Sequence, residues 1–129
     1  MIIGLGTDIV SIERIKAVLE KNGGAFIERV CTKAEKQYLQ SGTETAVKLA
    51  KLWAVKEAAA KALGTGFSGG ITLRDIELSH DASGRPHLTF SGQAQARLLS
   101  LTRDTQSNIQ VSLSDDRPWA HAVVIIEKI

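Results

Sequence analysis

The chain has 129 residues, 43% of them hydrophobic and 23% charged, with a net charge of +2; that suits one domain with a buried core. No apolar run reaches the length of a membrane span, and Cys31, the only cysteine, excludes an internal disulfide. A sequence pI of about 8.8 reflects charge too evenly balanced to point to nucleic acid. The opening Met1-Ile2-Ile3-Gly4 has neither the basic region nor the long apolar core of a signal peptide, so a cytoplasmic protein is expected. Cys31 reads as a small core residue, since no histidine lies near it in sequence.

Branched residues over 1–10 predict a strand, and Gly4 and Gly6 permit a bend or a close backbone approach. Asp8 interrupts that run. It is either a turn former or a buried acid with a partner, and local sequence slightly favours the turn. Ser11 can cap a helix whose face carries Ile12, Ile15, Val18 and Leu19, ended by Asn22-Gly23-Gly24. A short apolar piece follows at 25–30. Thr32-Lys33-Ala34-Glu35 is a capping-box pattern that starts a helix through about Gln40, broken by Ser41-Gly42. The first third leans basic through Arg14, Lys16, Lys21, Arg29, Lys33 and Lys36, offset in part by Glu13, Glu20, Glu28 and Glu35. This is either a solvated helical surface or a docking face for an acidic partner.

The run 43–63 contains neither Gly nor Pro and is rich in Ala and Leu, which predicts a long central helix stopped by Gly64. Residues 71–78 suggest a strand or a bulged strand, 81–86 a turn, and 87–90 the returning strand of a hairpin. Residues 92–102 read as a helix. A second hairpin joins 108–114 to 119–129 through Asp115-Asp116-Arg117-Pro118, with Ile109, Val111 and Leu113 on one face. The order strand, helices, hairpin, helix, hairpin is that of a compact α+β domain, 1–129, with an antiparallel sheet packed on helices. His80, His87 and His121 lack the clustered spacing of a zinc site and read as structural.

The chemistry-bearing stretch closes the central helix. Glu57 shares a helical stripe with Ala46, Ala50, Trp53 and Ala60, and Lys61 follows four residues on. Glu before Lys at that spacing is also a common surface ion pair, contributing about 0.3–0.5 kcal/mol and no chemistry. Against that stands a helix apolar almost all round, where charges need partners. The loop at 64–70 also has the backbone freedom to lie against phosphate oxygens, although it fits neither the Walker nor the Rossmann pattern.

Two stretches resemble the holo-acyl-carrier-protein synthases, the small trimeric class of 4′-phosphopantetheinyl transferase. One is Gly4-Leu5-Gly6-Thr7-Asp8-Ile9-Val10 followed by Ile12-Glu13-Arg14-Ile15. The other is Trp53-Ala54-Val55-Lys56-Glu57-Ala58 with Lys61-Ala62-Leu63-Gly64-Thr65-Gly66. Weaker similarity runs through Phe26 to Glu35 and from Val111-Ser112-Leu113-Ser114 to Glu127, so the resemblance spans essentially the whole chain. The resemblance implies transfer of phosphopantetheine from coenzyme A to a serine of apo-acyl carrier protein, with release of adenosine 3′,5′-bisphosphate, in support of fatty acid biosynthesis. It also implies Mg²⁺ held by Asp8 and Glu57, and Lys61 on the phosphates. Gly64, Thr65 and Gly66 would sit beside coenzyme A, and Arg14 would dock the acidic carrier. A homotrimer with its sites at protomer contacts is implied as well. Two carboxylates plus phosphate oxygens suit Mg²⁺, and both acids are expected to stay ionised beside it. Either Glu57 or a metal-polarised water is the base for the serine.

Leu52-Trp53 stands where many members carry Arg-Phe, with Lys51 as the nearby cation, and Asp115 stands where many carry histidine. No role is assigned to Asp115. A non-catalytic module binding coenzyme A or an acidic protein is the alternative from another class. A metal-dependent hydrolase of nucleotide pyrophosphates is a third.

Overall fold

The computed structural model describes residues 1–42 and 44–129. Strand β1 spans Ile2–Ser11, then come α1 (Ile12–Val30), α2 (Lys33–Gln40) and α3 (Thr45–Ala62). A 3-10 turn at Leu73–Asp75 leads into β2 (Ile76–His80) and β3 (Pro86–Phe90), then α4 (Gly92–Thr102), β4 (Ser107–Asp116) and β5 (Trp119–Lys128). One antiparallel sheet has the order β1-β5-β4, and β2 and β3 form a separate antiparallel pair. The α+β class and the element order agree with expectation, but the strands divide into two sheets rather than one.

Two local expectations do not hold. Asn22 has φ −157° and ψ 50°, which kinks α1, yet the helix resumes through Gly23-Gly24 to Val30. It does so because Phe26 and Ile27 have somewhere to pack: Phe26 lies 5.6 Å from the Trp53 ring and both join the core. Packing of an apolar face outweighs the poor propensity of two glycines. Residues 71–75 are not strand. The Asp75 carboxylate accepts the Thr72 N–H at 3.1 Å, and this reciprocal cap winds the chain into the 3-10 turn before β2 starts. The expected helix start at Thr43 lies outside the described residues, and α3 is described from Thr45.

The core is organised by α3, whose buried residues lie on all sides of the helix. It crosses the inner face of the three-stranded sheet, where Ala120, Ala122, Val124 and Ile126 of β5 are all buried. Gly4 and Gly6 of β1 face it too. A Cβ on Gly6 would fall on the Ala58 carbonyl oxygen and 2.8 Å from the Ala62 nitrogen; one on Gly4 would overlap the Ala62 carbonyl. Hence the two glycines serve the close approach and not a bend.

A buried ion pair ties the other side of α3 to its neighbours. Lys56 and Glu35 are 0% exposed, with Lys56 Nζ donating to Glu35 Oε1 at 2.7 Å. Lys56 also donates to the Leu73 and Ile76 carbonyls at 2.9 and 2.6 Å. Glu35 accepts from the Thr32 and Leu78 N–H groups at 2.9 and 2.7 Å. Burial draws the Lys56 pKa below its usual value, against the pull of the Glu35 carboxylate. Glu35 is therefore both the expected capping-box residue and an interior charge, so it does not offset the basic surface. Cys31 is buried as expected, and burial pushes its thiol up to about 11.

We expect Gly6→Ala to destabilise the fold by about 3 kcal/mol, the upper end for overpacking, because the obstacle is backbone and not a side chain that can rotate. The midpoint of thermal unfolding should fall by on the order of 10 °C; an unchanged midpoint would refute the close approach.

Candidate active site

Strand alternation sends Gly4, Gly6, Asp8 and Val10 toward α3 and leaves Leu5 and Ile9 on the outer face. Asp8 is thus an in-register strand residue opposite Ala122, not a turn former. Its side chain is 17% exposed and meets Lys61, whose Nζ lies 3.2 Å from Asp8 Oδ1 and donates to the Thr7 carbonyl at 2.9 Å. Lys61 itself is 53% exposed, so its ammonium bridges the half-buried acid and the surface.

Glu57 lies one turn before Lys61 on α3. Its pKa is raised, first by burial and then by the charge of Asp8, while Lys61 works in the opposite sense. Two carboxylates, from β1 and α3, thus act on one another through their charge, with one cation, Lys61, bonded to Asp8 and near enough to Glu57 to act on it, leaving an excess of negative charge. The structure brings together Asp8, Glu57 and Lys61, residues 53 positions apart at the extreme. Among the described residues no third His, Cys, Asp or Glu gathers with them to make a protein cage. Such a donor set suits Mg²⁺, which keeps waters and takes substrate oxygens in addition to one or two carboxylates. A dication there would relieve the repulsion that now lifts the Glu57 pKa.

Glu57 also lines a cleft of about 300 Å³ with Trp53 of α3, Arg29 of α1, and Phe67, Ile71, Thr72 and Leu73 of the segment after α3. Sequence patterns marked Trp53 but not this far wall, because the path of the segment 63–75 decides it. The glycine loop is more constrained than expected. Gly64, at φ 80°, stops α3 and donates to the Lys61 carbonyl at 2.9 Å, and Gly66 donates to the Ala60 carbonyl at 3.1 Å. Those two N–H groups are engaged within the chain, and Gly64 is exposed at the surface of the loop. Arg97 of α4 fastens the same end of the helix through its Nε bond to the Leu63 carbonyl, 2.9 Å.

Arg14 is exposed in the first turn of α1, directly after Ser11, whose Oγ accepts the Arg14 N–H at 3.3 Å. Glu28 pairs with Lys36 and Glu35 is buried, so the other exposed charges of α1 and α2 are Arg14, Lys16, Lys21, Arg29 and Lys33 against Glu13 and Glu20. The surface of these two helices is more basic than their composition. Leu52 is 0% exposed and belongs to the core, and Lys51 is taken by Asp115 at 3.0 Å. His87 meets Asp81 at 3.1 Å and His80 stacks on Tyr38, so these two histidines stay apart from the carboxylates.

Residues 4–124 match the family described as the 4′-phosphopantetheinyl transferase superfamily. A holo-[acyl-carrier-protein] synthase of Halorhodospira halophila is 47% identical over 126 residues, 98% of each chain. The crystal structure of holo-[acyl-carrier-protein] synthase from Neisseria meningitidis superposes with a TM-score of 0.86 at 38% identity, covering 99% of this chain and 100% of that one. A Bacillus anthracis holo-(acyl-carrier-protein) synthase in complex with CoA (3′,5′-ADP) gives 0.81 at 30% identity, covering 100% and 99%.

A raised carboxyl pKa means that the folded state favours the protonated form. Its contribution is fully present below the unfolded value of 4.5 and is lost as pH rises through the folded pKa. Ionised Glu57 therefore weighs against the fold at neutral pH. Glu57→Gln should raise the unfolding midpoint at pH 7 in metal-free buffer, and the gain should shrink to nothing as pH falls below 4.5. A wild type more stable than this variant at pH 7 would contradict the assignment.

Proposed function

The chain belongs to the 4′-phosphopantetheinyl transferase superfamily, and from that premise we propose that it transfers 4′-phosphopantetheine from coenzyme A to a serine of apo-acyl carrier protein. It is an enzyme, and the other product is adenosine 3′,5′-bisphosphate. The single observation that carries the reading is the convergence of Asp8, Glu57 and Lys61 at one edge of α3, inside the two stretches that resemble the family. The complex of a 30% identical relative with CoA (3′,5′-ADP) supports the donor.

In this reading Asp8 and Glu57 hold Mg²⁺. Bound there, Mg²⁺ would supply positive charge to the pyrophosphate oxygens of the donor. Lys61 sits on the phosphates, its ammonium already at the boundary of the half-buried acid and solvent. The serine Oγ forms a bond to the β-phosphorus as the bond from that phosphorus to the bridging oxygen breaks. The serine proton passes to a Glu57 carboxylate oxygen or to a water held beside it. Thr65 and the outer surface of Gly64 and Gly66 border the donor. Arg14, at the edge of the basic α1 face, docks the acidic carrier. The domain, 1–129, works in the cytoplasm and serves fatty acid biosynthesis.

A homotrimer with sites at protomer contacts fits the uncovered outer face of the sheet. Leu5 and Ile9 are 62% and 61% exposed there, beside Val123 and Ile125 of β5. An apolar surface of this kind is a typical contact between subunits.

Intact-mass analysis of apo-acyl carrier protein incubated with the protein, coenzyme A and Mg²⁺ tests the reading. We expect a gain of one phosphopantetheine that EDTA abolishes; no gain on any carrier with coenzyme A still bound would favour a binding module. Glu57→Gln and Asp8→Asn should each cut turnover by at least about 100-fold, as loss of a group that stabilises transferring charge does. Arg14→Ala should act mainly on the KM for the carrier, and an unchanged KM would remove Arg14 from docking.

A further inference from the structure

The transferase reading leaves one buried charged group without a part in the reaction. Lys56 stands next to Glu57 in sequence but points away from it, into the protein, where it makes three hydrogen bonds at 0% exposure. An ion pair buried this fully contributes little net stability over apolar residues of the same volume. Its bonds, however, run to particular places. The Leu73 carbonyl belongs to a residue whose side chain lines the cleft beside Glu57, next to Ile71 and Thr72. The Ile76 carbonyl and the Leu78 N–H, which Glu35 holds, begin the strand that follows.

The cleft has two sides of different character. Trp53 and Glu57 sit on a rigid helix, whereas Phe67, Ile71, Thr72 and Leu73 come from a segment with little regular structure of its own. Lys56 spans from the helix to the second side. On its far end that segment is fixed again by Asp75, whose carbonyl accepts the Ser91 N–H at 2.9 Å and whose carboxylate packs against Gly92. Bonds to backbone carbonyls set a distance in a way that apolar contact alone does not, because each has a narrow optimal length and direction.

We propose that Lys56 and Glu35 are positioning residues for the transfer. Through the Leu73 and Ile76 carbonyls they fix the far wall of the cleft relative to Glu57, and so the space in which donor and acceptor serine meet. They touch neither substrate. The proposal rests on the transferase reading.

The test compares wild type with Glu35→Leu/Lys56→Met, which replaces the pair by apolar side chains of similar volume; the Thr32 and Leu78 N–H groups lose their acceptor, so the unfolding midpoint should fall while the protein stays folded. Both are made in a Trp119→Phe background, leaving Trp53, a lining residue of the cleft, as the only tryptophan. With apo-acyl carrier protein, coenzyme A and Mg²⁺, kcat should fall by about 10–100-fold, as small misplacements at a reacting centre do, with the KM for carrier protein within about twofold of wild type. Acrylamide quenching of Trp53 should rise by at least about twofold as the wall loosens. Wild-type kcat in a stably folded double variant would overturn the proposal, and so would a kcat loss with unchanged quenching. Should the double variant fail to fold, Glu35→Gln serves instead. It retains an oxygen for Lys56 and the Thr32 N–H but loses the acceptor for Leu78, and the same split is required of it. If the wild type itself transfers nothing, the transferase reading falls, and a quenching constant equal in both proteins would still reject the wall-fixing role.

Discussion

Two glycines on β1 lie against two alanines on α3, and most of the functional geometry depends on that contact. Gly4 and Gly6 bring the strand backbone onto the helix backbone at Ala58 and Ala62, nearer than any side chain would allow. Two residues further along the same face the strand must place its next inward side chain beside the helix, and that residue is Asp8. The acid is thereby carried to Lys61 and into the field of Glu57. A strand held further out would leave Asp8 in solvent, away from Lys61. Packing of small residues and electrostatics of the site are one arrangement here.

The opposite side of α3 uses the reverse strategy. There a charged pair reaches into the interior and binds backbone groups of α2, the 3-10 turn and β2. Each polar atom of the pair is satisfied, so desolvation is offset by hydrogen bonds and the surrounding elements are held in one register. The helix therefore has one face for close apolar contact, one for cross-tying, and between them an edge that carries Glu57 and Lys61. A hydrophobic helix with few charges can devote each charge to a separate task because none is needed for solubility.

Local patterns in the sequence were enough for much of this. The capping box at Thr32, the hairpins and the limits of α4 follow from spacing alone, since their determinants lie within a few residues. Asp8 was ambiguous because a polar residue amid branched ones looks the same in a turn and beside a partner 53 residues away. Glu35 already had a local task as a capping residue, which concealed its second one. Lys56 occupies the apolar stripe of Leu49, Leu52, Ala59 and Leu63; that lapse in an otherwise apolar face was the available signal. The second half of α1 and the wall of the cleft were not legible, because Phe26 needs Trp53 and the 63–75 segment needs Lys56, contacts that no local window contains.

What joins fold to chemistry is the pairing of Asp8 with Glu57, and carbon NMR of the two side-chain carboxyls reports on it directly. The account predicts that in metal-free protein Glu57 titrates above the ordinary carboxylate value, that Asp8→Asn brings it part of the way back, and that Mg²⁺ lowers it while shifting both resonances. A Glu57 resonance that titrates at the ordinary value and responds to neither Asp8→Asn nor Mg²⁺ would contradict it.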